Sequence, residues 1–264
     1  MSRTYDFIIR LAAKEMPPSA KLLDFGCGNG QVVLKALDMG YDAHGTDLYE
    51  RGWERDRPTT LGNRLHQMPS PDKIPFPNDY FDIIITNQVF EHINDKPPVV
   101  RELARVLKPS GKLIAIFPTS EIIIEPHLKV PFVHRLRNGG VTQKMILKIF
   151  YAFRSVSPPQ ANRDVLVNNA LTNLRNDLSY ISDITAQKIF TSHFTLLSFG
   201  ESMFLRDRIA QLRLLKHFST LANTKFINKI LRQICLCLAN GVYIFSKSST
   251  ESLDIIKDDC ISLH

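Results

Sequence analysis

Asp24-Phe25-Gly26-Cys27-Gly28-Asn29-Gly30 is the segment of this chain best suited to hold a ligand. It follows the apolar pair Leu22-Leu23 and precedes Val32, Val33, Leu34, Ala36 and Leu37 at helical spacing, so it reads as a strand, a glycine loop and a helix start. Glycines at alternate positions let the backbone turn sharply and come close to a ligand, because no Cβ intervenes. Amides at the following helix start can then hold an anionic group. A carboxylate, Asp47, lies 21 residues after Gly26 at the end of the extended run from Tyr41. An acid there can accept hydrogen bonds from both hydroxyls of a ribose. Further along, His92, His127 and His134 are the candidate general bases.

The spacing separates ligand classes. A dinucleotide-binding loop, G-x-G-x-x-G, would place its third glycine at position 31, which is Gln31. The pattern here, D-x-G-x-G-x-G, resembles the first motif of the class I methyltransferases that use S-adenosylmethionine. That resemblance implies that Asp24, Gly26, Cys27, Gly28, Asn29 and Gly30 wrap the methionine end of the cofactor. It also implies that Asp47 clamps the ribose and that Leu48 lies beside the adenine. Ile74-Pro75-Phe76-Pro77-Asn78-Asp79-Tyr80-Phe81-Asp82 is similar to the loop leading into the family's fourth strand. The family often binds the adenine amino group with an acid about four residues before it. Ser70 and Pro71 occupy that neighbourhood here, so Ser70 is expected to take the contact, with Asp72 the alternative. Asn87-Gln88-Val89-Phe90-Glu91-His92-Ile93 resembles the motif after that strand, which brings Asn87 and Gln88 to the methionyl part. Arg101-Glu102-Leu103 through Lys112 resembles the helix and turn that reach the fifth strand. The resemblance covers about 20–119 continuously, plus the last two strands.

The function so implied is in-line transfer of a sulfonium methyl to an O, N or C nucleophile of a small-molecule, saccharide or lipid-like acceptor. Such a reaction is chiefly a matter of positioning, with a base needed when the nucleophile is a neutral oxygen or nitrogen. In open α/β sheets ligands bind beyond the C-terminal ends of the strands, so the acceptor is expected under residues after 118. The run His127 to Arg137, with Lys129, Arg135, His134 and Arg137, is the expected acceptor-facing segment, and His127 or His134 the expected base. His92 is a third candidate, although a histidine at a helix start commonly serves structure. Two histidines lack the third and fourth ligands of a metal site, so no metal is expected. Two other classes stay open: a non-catalytic S-adenosylmethionine-binding or interaction protein of the same fold, and a nicotinamide-dependent oxidoreductase, disfavoured by Gln31.

The elements that must position these residues follow from periodicity. Tyr5, Ile8, Ile9 and Ala12 mark an amphipathic helix over 2–15, ended by Pro17-Pro18. Strands are expected at about 20–25, 41–47, 64–67, 81–86, 112–117, 194–199 and 241–245. Helices are expected at 29–39, 96–108, 142–154, 163–176 and 183–191, with a basic helical region over 203–239. Strands alternating with helices give an α/β, Rossmann-like, seven-stranded and mostly parallel sheet with helices on both faces. We expect one methyltransferase domain over 1–248: a cofactor core at 18–119, a helical lid insertion at 120–193, and C-terminal strands and basic helices at 194–248. The segment 249–264 is expected to be a flexible acidic tail.

Length and composition suit a soluble globular chain: 264 residues, 44% hydrophobic and 22% charged. No apolar run reaches membrane-spanning length, and the start lacks a secretory apolar core. Four cysteines without framework or C-x-x-C spacing point to reduced thiols and a cytoplasmic setting. The net charge of +7 is uneven, since residues 1–119 carry 15 charges of each sign and 194–248 carry 8 basic against 2 acidic. The region 203–239 therefore admits two readings: helices packed on the sheet edge, or a peripheral surface for anionic membrane. No nucleic-acid module is present, and oligomeric state is not legible.

Overall fold

The computed structural model describes residues 3–50, 58–136, 139–153, 162–210 and 225–248. Seven strands form one sheet: β1 (Lys21–Phe25), β2 (Asp42–Asp47), β3 (Leu65–Gln67), β4 (Phe81–Asn87), β5 (Leu107–Phe117), β6 (Phe194–Phe199) and β7 (Gly241–Lys247). Their order is β3-β2-β1-β4-β5-β7-β6, and β7 alone runs antiparallel to its neighbours. The chain winds outward from β1 through β2 to β3, then returns to β4 on the other side of β1 and winds outward again. A crevice opens where the winding reverses, beyond the ends of β1 and β4. Register brings the candidate residues there: Phe25 pairs with Thr46 and Thr86, Asp47 with Gln67, and Asn87 with Ile116.

The helices are α1 (Arg3–Glu15), α2 (Gln31–Asp38), α3 (Lys96–Val106), α4 (Val141–Phe153), α5 (Arg163–Asn176), α6 (Asp183–Phe190), α7 (Glu201–Ala210) and α8 (Lys225–Leu238). One face of the sheet packs Leu22, Ile83, Ile85, Ile114 and Val242 against α1, α2, Phe204 of α7 and Cys235 of α8. The other packs Leu23, Ile84, Leu113, Tyr243 and Phe245 against Val99 and Leu103 of α3 and Phe190 of α6. Burial on both faces explains why Ile83-Ile84-Ile85 reads as an unbroken apolar run instead of an alternating one.

Boundaries differ from expectation in several places. α2 starts at Gln31, not 29, because Gly30 sits in the left-handed region (φ 81°) and cannot belong to a right-handed helix. β5 starts at Leu107, not 112: its pairing with β4 jumps from Leu107 to Lys112 while β4 advances only from Phe81 to Ile83. Pro109-Ser110-Gly111 is therefore an irregularity within a strand as well as the stop of α3. The basic region 203–239 contains two helices, α7 and α8, whose intervening residues lie outside the described part of the chain. So do the expected tail 249–264 and Arg137 of the expected acceptor-facing segment.

The segment between β5 and β6 has a small apolar cluster of its own, with Leu128, Val130 and Val133 of a compact loop against Leu147, Val167, Ala170 and Leu174 of α4 and α5. Polar contacts fasten it to the sheet. The Ser179 amide donates to the Glu91 carbonyl at 2.6 Å, and the Lys96 ammonium donates to the Ile93 and Ser179 carbonyls at 2.6 and 2.7 Å. Burial lowers the Lys96 pKa to about 8, against the opposing pull of Glu91.

A second buried network joins α6, α7, α8 and β7. The Arg232 guanidinium donates to Asp183 at 2.6 Å and lies 3.5 Å from Glu201, and its plane covers the Phe199 ring at 3.8 Å. Tyr243 donates its hydroxyl to the same Asp183 oxygen at 2.8 Å. Burial lifts Glu201 to about 7 despite Arg232. At least one cation of the basic helices is thus a packing residue. Arg232→Met strands two buried acids and is expected to lower the unfolding free energy by about 3–5 kcal/mol. Urea titration checks this, and a loss under about 1 kcal/mol would show that the network holds nothing together.

Candidate cofactor-binding site

The loop after β1 is shaped by its glycines and tied down by its own amides. Gly26 lies at φ 76°, and a Cβ there would stand 2.2 Å from Val89 Cγ2. Only glycine fits both the dihedral and the space. The Gly26 and Cys27 amides both donate to the Thr46 carbonyl, at 2.8 and 3.0 Å, and the Gly30 amide donates to the Cys27 carbonyl at 2.9 Å. Gly28 donates its amide to Asp47 Oδ2 at 2.9 Å, while Asp47 Oδ1 accepts from the Tyr49 amide at 2.9 Å. One carboxylate at the end of β2 therefore holds the loop after β1 and the turn that follows β2. Each of its oxygens keeps a further lone pair for a ligand hydroxyl.

Above this loop lies a cavity of about 540 Å³ at the crevice where the winding of the sheet reverses. Asp24, Gly26, Cys27, Gly28, Asn29, Asp47, Leu48, Asn87, Gln88 and His92 line it. Gly30 does not; it is packed behind the loop, toward Leu61 and Leu65. Ser70 also stands outside the lining, its hydroxyl donating to Asp72 at 2.7 Å, and the wall there is made by Met68 and Pro71. Tyr5, Phe25, Gln31, Val32, Glu50, Val89 and Ile93 complete the lining, and none of them is among the site residues expected from the sequence. The apolar spacing of α1 marks Tyr5 only as a core residue. Nothing in the local pattern reveals that the helix crosses the cavity mouth.

The electrostatics are one-sided. Among the described residues the lining holds the carboxylates of Asp24, Asp47 and Glu50 and no lysine or arginine. Asp24 is buried, and burial lifts its carboxyl to about 8, with the nearby Asp47 charge adding to the rise. Burial also pushes the Cys27 thiol up, with Asp24 adding to it, so Cys27 is a neutral group beside the Tyr49 hydroxyl (3.6 Å) and not a thiolate nucleophile. Asn87 Oδ1 is buried without a hydrogen-bond partner among the described residues, an acceptor at the cavity wall. Such a site suits a compact cation that also carries hydroxyls. It does not suit a pyrophosphate, because the amides of Gly26, Cys27, Gly28 and Gly30 are already used within the protein.

The three histidines separate. His92 lines the cavity, and its Nδ1 donates to the Asp177 carbonyl at 2.7 Å. His127 sits beside it, ring centroids 5.3 Å apart, outside the lining. His134 lies farther into the 120–193 segment with its ring against Tyr180 (centroids 5.1 Å), and burial holds its pKa below the ordinary imidazole value.

Comparison with known proteins agrees with this geometry. Residues 23–115 match the profile of the family described as methyltransferase domain. This stretch runs from β1 to the middle of β5 and includes the glycine loop, Asp47 and the β4 end. Over this core, the chain is similar to the methyltransferase domain family. It is 29% identical over 121 residues, 43% of its length, to a ubiquinone/menaquinone biosynthesis C-methyltransferase of Vibrio parahaemolyticus, and the match covers 46% of that protein. Against the same-named protein of Geotalea daltonii it is 28% identical over 131 residues, covering 45% of this chain and 55% of the relative. The chain thus spans about half the length of the curated relatives it matches. A solved S-adenosylmethionine-dependent methyltransferase from Mesorhizobium loti has the same fold, with a TM-score of 0.54 at 13% identity over 91% of this chain and 96% of that one.

The Gly26–Val89 contact gives a direct test of the loop. Gly26→Ala is expected to cost about 2–4 kcal/mol, part from the left-handed backbone and part from overpacking. Combining it with Val89→Ala should cost less than the two single losses added together. Simple additivity in thermal melts would place the loop away from β4.

Proposed function

We propose that the chain binds S-adenosylmethionine in this cavity and transfers its methyl group to a small-molecule, saccharide or lipid-like acceptor. One observation carries the reading: an acid-lined cavity without lysine or arginine among its described residues, built on a loop whose amides are already used. The cofactor carries a sulfonium and an ammonium against a single carboxylate, so the acidic lining complements its net charge. The residues present fit the group. Asp47 has lone pairs for the ribose hydroxyls, and the orphan Asn87 Oδ1 can accept from the ammonium. Leu48, Met68 and Pro71 offer an apolar wall for the base. When bound, the cofactor supplies a methyl activated for in-line displacement by its sulfonium.

The chain's own part is to orient and to exclude water. Strand ends fix the wall rigidly, and the segment 120–193, fastened through Ser179 and Lys96, covers the acceptor side as a lid. The relatives' names support a carbon nucleophile among the acceptor classes. The exposed stripe Phe226, Ile230, Ile234 and Leu238 of α8, beside Lys225 and Lys229, supports contact with an anionic membrane surface that presents a lipid-like acceptor. Among the described residues no helix is long and apolar enough to cross a membrane. Co-sedimentation with anionic but not neutral vesicles tests that contact.

Calorimetric titration with S-adenosylmethionine tests the main reading. Asp47→Asn should weaken binding by about tenfold to a hundredfold, the worth of a charge-assisted hydrogen bond of roughly 1.5–3 kcal/mol. The pH dependence has a definite sign. Free Asp24 is protonated below about 8, and a bound cation favours its ionised form, so binding releases a proton and affinity rises from pH 6 to 8. Asp24→Asn should flatten that rise. Absence of binding at saturating cofactor ends the proposal, and binding without methyl incorporation in a radiolabelled screen of extract fractions selects the non-catalytic alternative.

A further inference from the structure

Sequence spacing pairs His127 with His134 and supplies no third ligand, but folding brings His127 beside His92 and a carboxylate instead. Glu91 and His92 form the short turn after β4, and His127 belongs to the compact loop that follows β5. One donor atom from each lies within 4.8 Å of the other two, and the imidazole planes are inclined at 74°. The surroundings fix both rings. His92 Nδ1–H is given to the Asp177 carbonyl at 2.7 Å, and His127 Nδ1–H to Glu125 Oε1 at 2.7 Å. A carbonyl or an ionised carboxylate can only accept, so in each ring Nε2 is the nitrogen that carries the lone pair. Glu125 is buried and also accepts from the Leu128 amide and, at 2.7 Å, from the Tyr180 hydroxyl.

A histidine whose far nitrogen is held by a carboxylate or a backbone carbonyl is the usual outer support of a metal-bound imidazole. Glu91 is itself buried, 1% exposed, in the same short turn as His92. We infer that Glu91, His92 and His127 form a binding site for one divalent transition metal ion at the rim of the cavity. Two imidazoles and a carboxylate suit Zn²⁺, Co²⁺ or Fe²⁺ better than Mg²⁺ or Ca²⁺, which take mainly oxygen ligands. Three protein ligands leave coordination positions open. His92 lines the cavity, so these positions can take an oxygen atom of the acceptor. This last role, unlike the site itself, rests on the methyl-transfer reading, and it narrows the acceptor to molecules with a hydroxyl or carbonyl oxygen next to the atom that is methylated.

The test uses tag-free, full-length protein freed of metal by chelator dialysis and titrated with Co²⁺, which reports its ligands through visible absorption and needs no cofactor. One equivalent should bind with bands of a nitrogen- and oxygen-ligated ion, and Zn²⁺ should displace it. His92→Ala, His127→Ala and Glu91→Gln should each weaken Co²⁺ binding at least about tenfold, while their circular dichroism stays native. Glu125→Gln keeps all three ligands and should still weaken binding by about 10–100-fold, the usual effect of removing an outer support. It also serves if His127→Ala fails to fold. His66→Ala disrupts the other close imidazole pair among the described residues, His44 Nδ1 and His66 Nε2 at 3.1 Å, and should change nothing. No stoichiometric Co²⁺, or binding lost with His66 and kept without His92 and His127, overturns the site. S-adenosylmethionine affinity of the metal-free protein judges the cofactor reading separately.

Discussion

A single carboxylate, Asp47, holds the geometry on which the site depends. It accepts from the Gly28 amide on one oxygen and from the Tyr49 amide on the other. The glycine loop after β1 and the turn after β2 are thereby locked to one another before any ligand arrives. A loop with three glycines at positive φ would otherwise sample many conformations, because glycine loses the most backbone entropy on ordering. The carbonyl of Thr46, one residue earlier, holds the loop from beneath by accepting from Gly26 and Cys27. The end of β2 is thus the clamp, and the loop is the part it shapes.

The same bonds decide what the loop can hold. Amides spent on Thr46, Cys27 and Asp47 are not offered to phosphate oxygens, so a motif that looks like an anion cradle in sequence is not one in space. What faces the cavity is carboxylate, with Asp24 kept protonated to about pH 8 by its burial. Placing two acids this close is unfavourable in the free protein and is relieved by a cation. This electrostatic preference separates the site from a dinucleotide pocket more firmly than the single substitution of glycine by Gln31.

The other half of the chain meets this core through a few polar bonds. Ser179, Lys96 and the His92–Asp177 contact fasten the segment between β5 and β6 to the turn after β4. The Asp183–Arg232–Glu201 network fastens α6 to α7, α8 and β7. Both junctions are buried, so they hold the segment in one place, and both use charged side chains that read as surface residues in the sequence. Glu91, Glu125 and Tyr180 gather at the first junction. That is why His92 and His127 meet a carboxylate there.

The sheet was legible because each strand announces itself locally, by unbroken β-branched and aliphatic runs at Ile83-Ile84-Ile85 and Val242 to Phe245, and by glycine and proline between them. The order of motifs sufficed to place the glycine loop, Asp47 and Asn87 at one end of that sheet. Contacts made across long loops were not legible. Ser70 lies outside the cavity lining and Met68 within it, Tyr5 joins the lining from the first helix, and of the histidines His92 lines the cavity while His127 and His134 do not. Such partners are joined only when strands far apart in sequence become neighbours. The amino-acid sequence by itself determined the mostly parallel sheet and the glycine loop, since both follow from periodicity and glycine spacing over a few residues. Only the tertiary structure decided which side chains share the cavity and which acids are buried together, because register and long-range packing, not local pattern, set those distances.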